Sequence, residues 1–189
     1  MDFEYINQLL EERKYIKIKE YLFYKNAVDI AEYVDELEKQ DSVIVFRLLQ
    51  KDKSVDVFSY LSVKTQHDII ETITNGEVAA LIDGLFIDDA VDFLEEVPAF
   101  IVKKVLSNVN DSKRQLINHY LNYDDETAGS IMTAEFVDLF EQQTVMEAIE
   151  RIRKIGKNKE TIYNCFVLEK TRKLKGIISL KDLLVSEGN

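Results

Sequence analysis

Apolar residues recur at helical spacing through the first two thirds of the chain and predict a succession of short amphipathic helices over residues 1–123. Four segments open with an acid and continue as an apolar stripe, at Asp29-Ile30, Asp56-Val57, Glu77-Val78 and Asp89-Ala90. An acid is favoured in the first turn by the helix dipole, and the stripe is the face that packs. The spacings of 27, 21 and 12 residues are irregular, so they favour helix pairs stacked in a superhelix over a strict solenoid repeat.

The pattern changes after Tyr123. It predicts extended chain at 133–139, a helix at Val145–Ile155, strands at 165–168 and Leu174–Ser179, and a helix at Leu180–Val185. This β-α-β-β-α order in about 55 residues is a small α/β unit with too little core to be stable alone, so we expect it to pack against a partner. The prediction is a mainly α fold in two domains: a superhelix of short stacked helices over 1–123 and a small α/β unit over 124–189.

Charge is distributed unevenly along the chain. Residues 1–123 hold 23 acids and 14 bases, net −9, whereas residues 124–189 hold 12 acids and 10 bases, net −2. Residues 65–102 contain no Lys or Arg and nine acids: Asp68, Glu71, Glu77, Asp83, Asp88, Asp89, Asp92, Glu95 and Glu96. Such a surface repels nucleic acid and anionic lipid and attracts cations, so a nucleic-acid partner is not expected. With no base inside this segment, we expect water or a divalent cation, rather than internal ion pairs, to stabilise these acids.

Other residue types exclude several classes of protein. The single Cys165 rules out a disulfide framework and fits a reducing compartment. The N-terminus is charged from its second residue, which is not typical of a signal peptide, and no run of 18 apolar residues could span a membrane. His67 and His119 are isolated and Cys165 lies in an apolar strand, so no catalytic constellation is formed and an enzyme is not expected.

One junction carries a family resemblance. Residues 123–137, Tyr-Asp-Asp-Glu-Thr-Ala-Gly-Ser-Ile-Met-Thr-Ala-Glu-Phe-Val, resemble the Tyr-x-x-x-x-Ala-Gly-x-x-Met-Thr-x-Glu-[Phe/Tyr]-Val junction of MgtE-type magnesium transporters. Residues 55–61, 88–98, 160–163 and 174–184 also resemble that family, so the likeness covers nearly the whole chain. It implies an N-terminal helical domain joined to a first CBS motif, ending before the second CBS motif and the membrane domain.

The resemblance also implies a setting and partners. The chain would be the cytoplasmic portion of a plasma-membrane protein, a regulatory region for Mg²⁺ transport. Its partners would be the second CBS motif, the transmembrane pore domain and, through the CBS region, a second copy in a homodimer.

The acids of residues 88–96 form a candidate metal site. On a helix, Asp88, Asp92, Glu95 and Glu96 share one face of about 100°, opposite an apolar face. Spacing alone favours a solvated surface, because such carboxylate pairs are common. The resemblance implies that Asp88 and Asp92 hold regulatory Mg²⁺ at the boundary with the second CBS motif, and that high Mg²⁺ draws the acidic helical and CBS surfaces together and closes the pore. Asp89, Glu95 and Glu96 would then only shape the field.

The last strand and helix form a candidate nucleotide site. Gly176-Ile-Ile-Ser-Leu-Lys-Asp182 matches the CBS pattern Gly-h-h-[Ser/Thr]-x-x-Asp. The resemblance implies that Ser179 and Asp182 contact the ribose or phosphate of ATP or another adenine nucleotide, and that Ile162 lies in the strand along the base. Lys181 could meet a phosphate. The alternative is structural, with Ser179 capping the last helix and Asp182 in its first turn.

Two other functions stay open at this point. Stacked helix pairs resemble those of flagellar motor switch proteins, which indicates a protein-interaction scaffold with no response to Mg²⁺. A lone CBS motif could instead make the chain a soluble nucleotide sensor that dimerises through that motif.

Overall fold

A computed structural model of the chain describes residues 1–186 and divides it into two compact units after Ser130. Those residues contain twelve α-helices and one three-stranded sheet, which confirms the mainly α fold class. All ten helices before Ser130 are short, and the sheet lies wholly in the second unit.

The first unit is built from ten helices that follow one another with short links. They are α1 (Phe3–Glu11), α2 (Tyr15–Phe23), α3 (Ala27–Glu36), α4 (Lys39–Leu48), α5 (Lys51–Tyr60), α6 (Val63–Thr72), α7 (Asn75–Gly84), α8 (Ile87–Glu96), α9 (Ala99–Leu106) and α10 (Asp111–Tyr120).

Helices α3 to α10 begin at a strict interval of 12 residues. From α3 to α8 each helix has ten residues, and the next residue is extended and apolar: Leu37, Leu49, Leu61, Ile73, Leu85 and Val97. The sequence expectation of irregular spacing is therefore wrong. Asp29, Glu77 and Asp89 all stand third in their helices, but Asp56 stands sixth in α5. The intervals between these four acids are therefore irregular although the helices themselves are evenly spaced.

The 12-residue period also determines which residues form the core. The seventh and eighth residues of each helix from α3 to α8 are buried apolar pairs: Tyr33-Val34, Val45-Phe46, Val57-Phe58, Ile69-Ile70, Leu81-Ile82 and Phe93-Leu94. Each helix from α3 to α8 packs against the helix two places further along the chain. Because neighbouring helices bury the same positions, the core is continuous through the stack.

The second unit has the predicted β-α-β-β-α order. Its elements are β1 (Val137–Phe140), α11 (Val145–Ile155), a 3₁₀ turn (Gly156–Asn158), β2 (Asn164–Leu168), β3 (Leu174–Ser179) and α12 (Leu180–Val185). Strand β1 pairs parallel with β2, and β2 pairs antiparallel with β3. The small core gathers Val137, Leu139, Ala148, Ile152, Cys165 and Leu183.

The first strand is shorter than the sequence indicates. Extended structure was expected from residue 133, but β1 begins at Val137. Before it, the Thr133 hydroxyl accepts a hydrogen bond of 3.1 Å from the backbone N–H of Glu135. This local turn uses a backbone donor that a ladder would need, so pairing starts later.

Candidate functional site

Helix α8 carries the acidic surface that the sequence indicated. Ile87, Ala90, Val91, Phe93 and Leu94 are buried on its inner face. Burial of that stripe fixes the rotation of the helix and leaves its carboxylates on the outer face.

The outer face of α8 forms one wall of an acidic cavity of about 340 Å³. Helices α5 and α6 and their link provide the opposite wall. The lining residues are Ser59, Leu61, Val63, Gln66, Asp89, Asp92, Phe93, Glu95 and Glu96. Gln66 is buried and held in place, since its amide donates a 2.8 Å hydrogen bond to the carbonyl of Phe58.

Two carboxylates of this cavity have raised pKa values. Desolvation raises the pKa of Asp92, although its side chain reaches solvent. Desolvation also raises the pKa of Glu95, and the charges of Asp125, Asp92 and Glu96 raise it further. Within residues 1–186, no Lys or Arg forms an ion pair with Asp92, Glu95 or Glu96. A bound cation would relieve this repulsion, and oxygen-only donors are those that Mg²⁺ prefers.

Other acids of the base-free segment are neutralised by helix α4. Lys39 pairs with Asp68 at 3.0 Å and also with Glu71. Arg47 holds Glu77 with two hydrogen bonds of 3.0 Å each. The expectation that internal ion pairs do not serve these acids is therefore wrong for three of them, because their partners come from a helix outside the segment.

The structure separates the two predicted metal ligands. Asp92 lines the acidic cavity, whereas Asp88, half-buried one turn earlier, does not line it. Asp89, Glu95 and Glu96, expected only to shape the field, line the cavity with Asp92. A sequence signal for this set does exist, since Asp89, Asp92 and Glu96 stand at i, i+3 and i+7 on one helix face.

A second group of possible ligands lies on α6. The ligand atoms of His67, Asp68 and Glu71 lie within 4.8 Å of one another. His67 was expected to be isolated because the sequence offers it no Ser or Cys partner, but the carboxylates of Asp68 and Glu71 lie on the same helix. Here the Lys39 ammonium already forms ion pairs with both acids.

The predicted nucleotide residues lie where β2 starts and β3 ends. Asn164 pairs with Ser179 across the ladder, and the N–H of Leu180 donates a 2.8 Å hydrogen bond to the carbonyl of Tyr163. These contacts bring the segment of Ile162 beside Ser179. The side chain of Ile162 is half-buried and packs against the core of this unit.

Ser179 and Asp182 form the cap of α12. The Ser179 hydroxyl accepts a 3.1 Å hydrogen bond from the N–H of Asp182 and donates a 2.6 Å hydrogen bond to its carboxylate. Lys181 is exposed in the first turn. The structural role of the Ser-x-x-Asp motif is thus present. The half-buried Ser179 also lies beside an exposed carboxylate and an exposed ammonium, those of Asp182 and Lys181, at the N-terminus of α12.

Within the described part of the chain, residues 1–186, no helix has the length and apolarity that crossing a membrane requires.

Comparison with protein families matches both units. The sequence model of the MgtE intracellular N domain matches residues 25–126, and that of the CBS domain matches residues 128–187.

Individual relatives agree with these matches. The magnesium transporter MgtE of Thermus thermophilus is 28% identical over 186 residues, covering 96% of this chain and 41% of the relative. The magnesium transporter MgtE of Bacillus subtilis is 24% identical over 171 residues, 84% of this chain and 38% of the relative. The chain thus spans about two fifths of the length of these relatives. The magnesium transporter MgtE of Enterococcus faecalis is 44% identical over 71 residues, which cover 38% of this chain and 16% of the relative.

Two crystal structures share the fold over nearly the whole chain. The soluble part of a magnesium transporter has a TM-score of 0.89 and 26% identity, covering 99% of this chain and 74% of that one. The cytosolic domain of the Mg²⁺ channel MgtE in complex with ATP has a TM-score of 0.86 and 28% identity, covering 96% of this chain and 75% of that one. These matches confirm the resemblance seen at residues 123–137: the chain belongs to the MgtE family and joins an MgtE intracellular N domain to a CBS domain.

Proposed function

We propose that this chain is the Mg²⁺-sensing regulatory region of a magnesium transporter, located on the cytoplasmic side of the plasma membrane. The observation that carries the proposal is the acidic cavity of α8, where Asp92, Glu95 and Glu96 come together and form no ion pair with a Lys or Arg of the described residues. Its relatives are magnesium transporters, which supports a divalent cation as the ligand.

In this proposal Asp92 is the main ligand of the cation. Asp88, one turn earlier and outside the lining of the cavity, is the weaker second ligand. A bound Mg²⁺ would supply positive charge at carboxylates whose pKa values, at Asp92 and Glu95, are raised by desolvation. Mg²⁺ keeps most of its water and often uses one or two carboxylates, so this donor set is sufficient.

Charge neutralisation is the proposed link to gating. While the cavity is anionic it repels other acidic surfaces, including those proposed for the CBS region. Neutralising it removes that repulsion, and closure of the helical domain against the CBS domain then shuts the pore. The ligand acts by binding the closed arrangement more tightly than the open one.

Thermal unfolding with MgCl₂, CaCl₂ or NaCl of equal ionic strength tests the metal site. Specific binding stabilises the chain by about 2.7 kcal/mol at a hundredfold excess of Mg²⁺ over Kd. Asp92→Asn should abolish most of this gain and Asp88→Asn part of it. Asp111→Asn is the matched control, because Asp111 is an exposed first-turn acid on α10. An unchanged Mg²⁺ response in Asp92→Asn would refute the assignment.

The gating step needs its own test in the complete transporter. Mg²⁺ should protect the cytoplasmic region against proteolysis, and exchange of Asp88 and Asp92 for Asn should weaken that protection. Equal protection in the variant and the parent would show that closure does not depend on these acids.

Nucleotide binding is a second candidate function of the CBS unit. It is supported by the contacts of Tyr163 and Asn164 that bring the segment of Ile162 beside Ser179, by the hydrogen bond from Ser179 to Asp182, and by the relative whose cytosolic domain was crystallised with ATP. Lys181→Gln should lower an ATP-induced rise in melting temperature while leaving the α12 cap intact. Lys173 is another exposed lysine of the same unit, and Lys173→Gln should leave the ATP-induced rise unchanged. Equal effects of the two variants would exclude a phosphate role for Lys181.

The proposed partners of the CBS unit are the second CBS motif, the pore domain and a second copy of the chain. Support comes from apolar side chains that this small unit leaves exposed: Ile131, Tyr163, Ile177, Leu184 and Val185. An apolar partner surface would cover them.

A further inference from the structure

Helix α2 and the residues beside it are positively charged, although the chain as a whole is negatively charged. Residues 13–25 hold five bases and one acid, Glu20, in a chain of net charge −11. The bases are Arg13, Lys14, Lys17, Lys19 and Lys25. This segment lies almost wholly ahead of residues 25–126, the part matched by the N-domain family model. None of its residues lines the acidic cavity of α8.

The same helix exposes large apolar side chains. Ile18 and Leu22 are buried and attach α2 to the unit, but Ile16 is 77% exposed and Phe23 is 48% exposed. Ile16, Lys19 and Phe23 stand at i, i+3 and i+7, so they share one outer face. Tyr24, directly after the helix, is 86% exposed.

A base from α5 adds to this face. Lys53 donates a 2.7 Å hydrogen bond to the carbonyl of Lys25, and it lines a crevice together with Lys19 and Phe23. The Lys25 ammonium lies 4.4 Å from the ring centre of Tyr21. We define the basic α2 surface by the following side chains: Ile16, Lys17, Lys19, Phe23, Tyr24, Lys25 and Lys53.

We propose that the basic α2 surface binds the anionic surface of a lipid bilayer. A protruding aliphatic residue and two aromatic residues surrounded by lysines match an interfacial anchor, since the apolar groups enter the headgroup region while the ammonium groups meet lipid phosphates. The acidic segment 65–102 would repel such a membrane, as its composition indicates. At physiological ionic strength, salt screens the interaction between exposed charges beyond about 8 Å. The local charge of α2 therefore determines whether α2 is attracted to the membrane.

Sedimentation of the chain with vesicles tests this assignment. Vesicles of phosphatidylcholine mixed with phosphatidylglycerol should bind the chain, and vesicles of phosphatidylcholine alone should not. The double variant Lys17→Gln/Lys19→Gln should weaken binding roughly 25-fold, about fivefold for each lysine. The matched control is Lys64→Gln/Lys103→Gln, which removes two exposed lysines outside this surface and should bind as the parent does.

The apolar part has a separate test. Ile16→Ser/Tyr24→Ser should also lose vesicle binding, whereas Leu116→Ser, at an exposed position on α10, should not. Circular dichroism checks that each variant is folded. Equal binding to charged and neutral vesicles, or equal loss in the Lys64/Lys103 control, would overturn the proposal. So would self-association without vesicles that Lys17→Gln/Lys19→Gln abolishes, because the occupant would then be an acidic face of a second copy.

Discussion

At the scale of single residues, Glu77 shows how one acid serves two elements. Its carboxylate accepts a 2.7 Å hydrogen bond from the N–H of Thr74, while its own N–H donates to the Thr74 hydroxyl, so it completes the capping box of α7. The same carboxylate is held by Arg47 of α4. The Arg47 side chain is the largest cause that lowers the pKa of Glu77 from 4.5 to about 2.

Glu77→Gln should destabilise the chain by about 1 kcal/mol at pH 7, a value that allows for solvent screening of a half-exposed pair. Because the folded-state pKa is lowered, the ion pair stabilises above pH 4.5 and this contribution is lost as the pH falls towards about 2. Urea unfolding at several pH values measures the difference from the parent, which should shrink over that range.

The control is Glu147→Gln in α11. Glu147 forms the same capping box with Thr144 but has no ion-pair partner among the described residues. If both variants lose the same stability with the same pH dependence, the cap rather than Arg47 accounts for the effect.

At the scale of elements, the helices and their buried faces were predicted, but their 12-residue period was missed. Apolar pairs such as Val57-Phe58 and Ile69-Ile70 repeat every 12 residues and were open to inspection in the sequence. The four acids Asp29, Asp56, Glu77 and Asp89 do not follow this period, because packing does not fix the position of an acid on the surface of its helix. The last strand and the last helix were predicted to the residue, since Ser179 and the preceding β-rich run mark the boundary locally, whereas β2 begins one residue earlier than predicted, at Asn164.

Close packing of alternate helices predicts opposite effects for two glycines of α7. An added Cβ at Gly84 would lie 2.5 Å from Cγ2 of Val55 in α5, whereas at Gly76 it would meet nothing within 4 Å. Gly84→Ala should therefore destabilise the chain by roughly 1–3 kcal/mol. Gly76→Ala should be neutral or stabilise it by up to about 1 kcal/mol, because alanine favours the helix.

Chemical unfolding of both variants measures this contrast. Adding Val55→Ala to Gly84→Ala should recover part of the lost stability by making room for the new methyl group, a coupling that a double-mutant cycle detects. Equal stability of Gly84→Ala and Gly76→Ala would show that α5 and α7 are not in close contact at this point.

At the scale of the whole molecule, local signals give the order of elements but not the neighbours of a site. The junction at residues 123–137 indicated the family, and the family matches confirm it. The acidic face of α8 was also predicted. Its opposite wall, with Ser59 of α5 and Gln66 of α6, could not be, because it depends on which helices pack together. For the same reason the role of Arg47 and Lys39 in pairing distant acids was missed.

The second unit carries a prediction about assembly. Its sheet ends at β3, whose outer edge is unpaired within residues 1–186, and Ile177 on that strand is 61% exposed. Unpaired strand edges and exposed apolar side chains favour association with another chain. If the proposed homodimer forms through the CBS region, Ile177→Glu should weaken it at least roughly tenfold, because a charge would have to be buried at the interface.

Sedimentation velocity over a range of protein concentrations measures the dissociation constant of this dimer. Leu116→Glu on α10 is the matched control, since it places the same charge at an exposed apolar position of the first unit. It should leave the constant unchanged, because the proposed interface lies in the other unit. A dimer weakened by Leu116→Glu and not by Ile177→Glu would place the interface on the helical unit. The apolar face of the CBS unit would then be left for the second CBS motif alone.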